Sequence, residues 1–205
     1  MNDRLRFDGQ VAIVTGGSRG IGRAAAESLA AEGATVVIAA RGPVEMADVV
    51  SGIESQGGTA IAIPTDIGDS ASIQSLVDET VRRFERIDIL VTSAAAAPAI
   101  GPSESLPLDT WRSVIDLDLT GTFLTCQAAG RVMLRQRYGR IVNVSSFHVI
   151  ATYPERAAYA SAKSGVIGLT QAHAVEWGGR GLTVNVVAPG TIRTPRTARL
   201  LSLQP

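Results

Sequence analysis

Short runs rich in β-branched residues alternate with longer stretches of helical period along this chain, and that alternation limits the fold more than any other feature. The runs are Val11 to Thr15, Thr35 to Ala39, Ala60 to Pro64, Ile89 to Thr92, Arg140 to Ser145 and Thr183 to Val187. Between them lie candidate helices from Gly20 to Glu32, Pro43 to Gln56, Ser70 to Arg86, Leu108 to Arg137 and Arg156 to Gly178. Strand and helix in strict turn is the pattern of βαβ units, which place their strands in a parallel sheet. The runs are apolar nearly throughout, as strands covered on both faces must be. The fold expected is therefore α/β: a doubly wound, Rossmann-type parallel sheet flanked by helices. Gly33, Gly57 and Gly139 follow the helical patterns where a left-handed residue ends a helix. With 205 residues, 45% of them hydrophobic, the chain can bury one sizeable core, and one domain over residues 1–205 is expected.

Charge narrows the partners. Nineteen basic and nineteen acidic side chains cancel, which leaves no global attraction for nucleic acid or an anionic membrane and points to a small molecule. One cysteine, Cys126, permits no intrachain disulfide, in keeping with a reducing compartment and a cytoplasmic location. Residues 1–10 lack the apolar stretch of a secretory signal, and no apolar run is long enough to span a bilayer. The two histidines, His148 and His173, lie far apart without a Cys/His cluster, so no metal site is expected.

Directly after the first strand the chain reads Thr15-Gly16-Gly17-Ser18-Arg19-Gly20-Ile21-Gly22 and enters a helix. Glycines there let the backbone turn tightly and approach a pyrophosphate, while the helix N-terminus presents free N–H groups. The spacing, Thr-Gly-x-x-x-Gly-x-Gly, resembles that of the short-chain dehydrogenase/reductase superfamily, especially its 3-oxoacyl-acyl-carrier-protein reductase-like branch. The second strand ends at Ala39-Ala40-Arg41, where an acidic residue would accept from a ribose 2′-hydroxyl. Ala40 stands there instead. Arg41 follows it, and Arg19 lies in the loop, so two guanidinium groups suit a 2′-phosphate and favour NADP(H) over NAD(H). The alternative is two solvated surface arginines. Asp66, with Ile67 beside it, resembles the family's adenine-contacting aspartate; Asp69 is the better candidate for a helix N-terminal acid.

After the fifth strand come Ser145 and Ser146, and then Tyr159-Ala-Ser-Ala-Lys163. Tyr159 and Lys163 stand one helical turn apart and can share a face. Ser146 leaves the carboxyl end of its strand, the edge where open α/β sheets bind ligands. Tyr159 is expected to exchange a proton with a carbonyl or alcohol oxygen, Ser146 to hydrogen-bond that oxygen, and Lys163 to supply a favourable positive charge. The resemblance further implies that Lys163 holds the nicotinamide ribose hydroxyls. It also implies that Pro189, Gly190, Ile192 and Thr194 run along the nicotinamide, with Thr194 and Ile192 meeting its carboxamide. His148, Phe147, Ile150 and Tyr153 are candidates to line a substrate pocket, with a simple loop histidine the favoured alternative for His148. The long helices after Leu108 and Arg156 resemble those through which relatives form a four-helix dimer interface, which implies a homodimer or homotetramer.

Three departures qualify the match. Asp118 occupies the place of an asparagine in the family's fourth catalytic segment, where the amide helps carry a proton relay from the lysine; a carboxylate accepts but cannot donate as an amide does. Its alternative is a side chain facing the helix interior or solvent. Thr92-Ser93-Ala94-Ala95 stands where relatives have Asn-Asn-Ala-Gly. Finally, Pro205 is reached where relatives build a helical substrate flap, another helix and a seventh strand, so a fragment or a shortened member is implied. Two functions are therefore carried forward: an NADP(H)-dependent oxidoreductase acting on a carbonyl or secondary alcohol, and a dinucleotide-binding pseudo-enzyme or assembly partner.

Overall fold

A computed structural model describes residues 5–96, 99–194 and 197. Six parallel strands form one sheet: β1 (Val11–Thr15), β2 (Thr35–Ala40), β3 (Thr59–Pro64), β4 (Ile89–Thr92), β5 (Gly139–Val144) and β6 (Leu182–Val187), in the order β3-β2-β1-β4-β5-β6. The order reverses between β1 and β4, which pair with Ala12 opposite Ile89 and Thr15 opposite Thr92. That reversal opens a crevice at the carboxyl edge of the sheet, where a ligand can enter.

Helices α1 (Gly20–Ala31) and α2 (Pro43–Ser55) cover one face, and α3 (Ser70–Phe84), α4 (Leu108–Ile115), α5 (Gly121–Gln136) and α6 (Ala157–Gly178) lie after β3, β4 and β5. Two cores result from the alternation of side chains along each strand. Ala12, Val14, Val36 and Ile38 pack with Ala26, Ala30, Val49 and Ile53 on the first face. Ile13, Val37, Leu90 and Ile141 pack with Leu76, Ala129, Met133 and Trp177 on the second. The expectation of strands apolar on both faces holds for β1 and β4, buried at every residue; of the two outer strands, β3 buries only Ala60 and β6 only Leu182 and Val184.

Two expectations are corrected. The long helix anticipated from Leu108 to Arg137 is interrupted by a π-helical turn, Asp116–Thr120, in which Gly121 N–H donates to the Asp116 carbonyl. Such a turn inserts one residue into the helical ladder and shifts the side chains it carries, Asp118 among them. Gly33 and Gly57 do adopt positive φ, 94° and 83°, but Gly139 does not end α5: Arg137 takes the left-handed conformation, with φ 54°. Gly139 instead opens β5 and is required by packing, since a Cβ there would lie 2.5 Å from the Met133 sulfur.

The amino end of the sheet is tied by a buried carboxylate. Asp88 is fully buried and accepts from Val11 N–H at 2.9 Å, while Arg86 donates to both of its oxygens at 2.7 and 2.9 Å. The same bonds raise the Arg86 guanidinium above its ordinary pKa. Removing the carboxylate leaves a strand N–H buried without its acceptor. Asp88→Ala is therefore expected to lower stability by about 3 kcal/mol in urea denaturation; a change below about 0.5 kcal/mol would show that the tie contributes nothing.

Candidate active site

The glycine loop is shaped by contacts that no larger residue could make. Gly16 has φ 66° and donates from its N–H to the Ala39 carbonyl at 2.8 Å. A Cβ on Gly22 would lie 2.3 Å from the Gly16 carbonyl oxygen, so the first turn of α1 rests directly on the loop. Thr15 Oγ1 accepts from Ser93 and Ala94 N–H groups at 3.2 and 3.4 Å, joining the ends of β1 and β4. Ser18 and Ile21 sit half-buried in this turn, and Arg19 is exposed just before α1. Arg41 is exposed directly beyond β2. Among the described residues neither arginine forms an ion pair.

After β3, Asp66 Oδ1 accepts from Gly68 N–H at 2.9 Å. Asp69 caps α3 by accepting from Ala71 N–H at 3.0 Å, as its position suggested. Ile67 does not offer its side chain to a cofactor: that side chain is buried in the second core, and its carbonyl packs so closely against Gly121 of α5 that a Cβ on the glycine would lie 2.3 Å from it.

The strand β5 and the helix α6 are strapped together. Ser145 Oγ donates to the Lys163 carbonyl at 2.8 Å, and Lys163 Nζ donates to the Val144 carbonyl at 3.1 Å. The Lys163 ammonium lies 5.8 Å from the centre of the Tyr159 ring. Ser146 is extended and nearly buried, and its Oγ accepts from His148 N–H at 3.3 Å within the short 3-10 turn Phe147–Val149. Ser146 leaves the carboxyl end of β5 while Tyr159 and Lys163 stand on α6, and His148 contacts both Ser146 Oγ and the Tyr159 ring.

Asp118 joins them. It is fully buried, its Oδ1 accepts from Ala96 N–H at 2.6 Å, and its Oδ2 stands 3.9 Å from Lys163 Nζ. The π turn therefore aims this carboxylate at the lysine and away from solvent. The Thr92-Ser93 segment turns one hydroxyl inward and uses a backbone group at the loop. Thr92 Oγ1 donates inward to Asn143 Oδ1 at 2.8 Å, and Ser93 contributes its backbone N–H to Thr15.

Asn143 is a residue that sequence reasoning left without a role. Fully buried on β5, it accepts from Thr92 and from Cys126 Sγ and donates to Thr170 Oγ1 at 2.9 Å. Its signal in the sequence is an amide inside an apolar central strand, where it must find partners. Burial pushes the Cys126 thiol up to about 12, partly opposed by its hydrogen bond to Asn143.

On the far side of the crevice, the Pro189 carbonyl accepts from Phe147 N–H at 2.9 Å, with Gly190 exposed beside it. Thr194 bonds to Thr197, whose hydroxyl donates to the Ile192 carbonyl. A Cβ on Gly20 would lie 3.2 Å from Thr194 Cγ2, so this segment closes over the glycine loop. Residues 195, 196 and 198–205 lie outside the described residues. His148 stands edge-on to Tyr159 and Tyr153, with ring centres 5.5 and 5.2 Å away. Burial lowers its pKa, and the Arg156 charge lowers it further. His173 is remote from it in sequence and stacks on Trp177 at 3.9 Å. Among the described residues no group of His, Cys, Asp and Glu is placed to hold a metal, and no helix is long and apolar enough to cross a membrane.

Known proteins are similar to this chain in sequence and fold. The family model for short chain dehydrogenases matches residues 10–204. The chain is 43% identical over 192 residues to a 3-oxoacyl-[acyl-carrier-protein] reductase of Synechocystis sp., covering 93% of this chain and 77% of that protein. It is 40% identical over 193 residues to a D-threitol dehydrogenase of Mycolicibacterium smegmatis, covering 93% and 73%. The crystal structure of levodione reductase superimposes with a TM-score of 0.92 at 32% identity, over 96% of this chain and 77% of that one. The chain belongs to the short-chain dehydrogenase family, the NAD(P)-dependent short-chain dehydrogenases and reductases.

Proposed function

We propose that this oxidoreductase transfers a hydride between NADP(H) and a carbonyl or secondary alcohol, with Tyr159 as the acid-base group. The observation that carries this reading is that Lys163 stands 5.8 Å from the Tyr159 ring and His148 contacts both Tyr159 and Ser146, at the carboxyl edge of the sheet that also carries a glycine loop with no room for a side chain at Gly22. The loop fits a dinucleotide because its N–H groups and the start of α1 favour an anion. Gly16, Ser18, Gly20, Ile21 and Gly22 would cradle the pyrophosphate, Asp66 and the Ile67 backbone the adenine, and Pro189, Gly190, Ile192 and Thr194 the nicotinamide. When bound, the cofactor supplies or accepts the hydride.

In reduction, Tyr159 gives its phenolic proton to the carbonyl oxygen while Ser146 Oγ hydrogen-bonds the same oxygen and stabilises its developing charge. Lys163, held by the Val144 carbonyl, keeps a positive charge near the phenol and is placed to bind ribose hydroxyls. Arg19 and Arg41, without carboxylate partners among the described residues, suit a 2′-phosphate. The solved NAD+-bound xylitol dehydrogenase, 31% identical with a TM-score of 0.87 over 90% of this chain and 71% of that one, makes NAD(H) the competing cofactor. We also propose one nucleotide-binding domain over residues 1–205, a cytoplasmic location, and a homodimer or homotetramer; exposed Phe123 and Val175 on α5 and α6 support the last.

The Asp118–Lys163 pair favours one other reading, a dinucleotide-binding protein without turnover, because a buried carboxylate beside the lysine opposes negative charge on the phenol. Tyr159→Phe is expected to reduce turnover of a ketone and alcohol panel by about 10²-fold to 10⁴-fold, and undiminished reduction would remove the tyrosine from the chemistry. Arg41→Asp is expected to weaken NADPH binding about tenfold more than NADH in a fluorescence titration; equal losses would end the case for a 2′-phosphate site. Asp118→Asn is expected to raise turnover in alcohol oxidation, by replacing a buried negative charge beside Lys163 with an amide that can also donate; unchanged turnover would leave Asp118 without a part in the reaction. Turnover found in that variant and not in the parent would establish the second reading.

A further inference from the structure

We propose that His148 is a positioning residue that fixes the catalytic hydroxyl of Ser146 and the ring of Tyr159 relative to one another. The inference rests on the function proposed above, and it follows from one residue touching both groups. Its backbone N–H donates to Ser146 Oγ at 3.3 Å, which orients the serine lone pairs. Its imidazole meets the Tyr159 ring at 5.5 Å and 87°, an edge-to-face contact that restrains where the phenol points.

The imidazole is itself held from behind. Tyr153 packs against it at 5.2 Å and 77°, and Thr152 Oγ1 lies 3.3 Å from its Nδ1. The backbone beneath is anchored at both ends of the turn, by Phe147 N–H on the Pro189 carbonyl and by Ile150 N–H on the Phe147 carbonyl. Tyr153, His148 and Tyr159 therefore form a file of three rings running from the exposed loop to the catalytic phenol, and the chain places no other aromatic contact on Tyr159 among the described residues. A restraint of this kind acts on the reacting geometry and not on the glycine loop, so it should be felt in kcat and not in cofactor affinity.

The test uses the whole chain with substitutions at His148 and Tyr153, which leave Ser146, Tyr159 and Lys163 in place. His148→Ala is expected to lower kcat about tenfold, with cofactor Kd unchanged and substrate KM within about twofold, and His148→Phe, which restores a ring edge, is expected to recover most of the loss. Tyr153→Ala should lower kcat about threefold in the parent and have no further effect in His148→Ala, because its action passes through the imidazole. A readout free of turnover comes from ring-labelled tyrosine NMR: with three tyrosines in the chain, Tyr159 is assigned by Tyr159→Phe, and its signals should shift and sharpen in His148→Ala. An unmoved Tyr159 signal, a kcat unchanged in His148→Ala, a His148→Phe variant as slow as the alanine, or a loss confined to KM would each overturn the proposal. Failure of the enzyme reading shows instead as a parent without turnover, and then the NMR comparison alone decides the role of His148.

Discussion

The central strands of this sheet have no face toward water. Every residue of β1 and β4 is buried, so their backbone polar groups must be satisfied along the ladder, and their side chains are apolar except for Thr15 and Thr92 at the carboxyl ends, whose hydroxyls are hydrogen-bonded. Chemistry is thereby driven off the strands and onto their carboxyl ends, where the chain leaves the sheet and polar groups can again be hydrated or bind a ligand. Thr15, Thr92, Val144 and the residues that follow them all lie on this edge, and the switch in strand order between β1 and β4 keeps it open.

At that edge the site is assembled by backbone contacts as much as by side chains. The strap between β5 and α6 uses the Lys163 ammonium on one carbonyl and the Ser145 hydroxyl on another. The lysine that faces the phenol is thus also a fastener, and its position cannot drift without parting strand from helix. Asp118 adds a buried negative charge to the same cluster through a π turn that interrupts the long helix. Two buried opposite charges 3.9 Å apart each offset the other's desolvation, so a neutral substitution at either one leaves its partner costly to bury.

Behind the site, Asn143 links Thr92, Cys126 and Thr170 in one buried network across β4, β5, α5 and α6. Polar networks of this kind specify a single arrangement of the elements they join, since any slip leaves a donor or acceptor unpaired in a low dielectric. The network takes the Thr92 hydroxyl, and the edge of the sheet is left with the Ser93 and Ala94 backbone in contact with Thr15.

Taken alone, the sequence determined the order of strands and helices and the glycine loop that follows the first strand, because hydrophobic period and short-range spacing are local properties written directly in the chain. It also identified Asp69 as the cap of α3 from its place before a helical pattern. The π turn, the left-handed Arg137, the inward Thr92 hydroxyl and the burial of Ile67 were decided only in the tertiary structure. Each depends on what a residue meets from a distant part of the chain: Asn143 for Thr92, the second core for Ile67, and Lys163 for Asp118. Periodicity carries no information about such long-range partners, and it is these partners, brought together by packing two helical layers on one sheet, that turn separate motifs into a site.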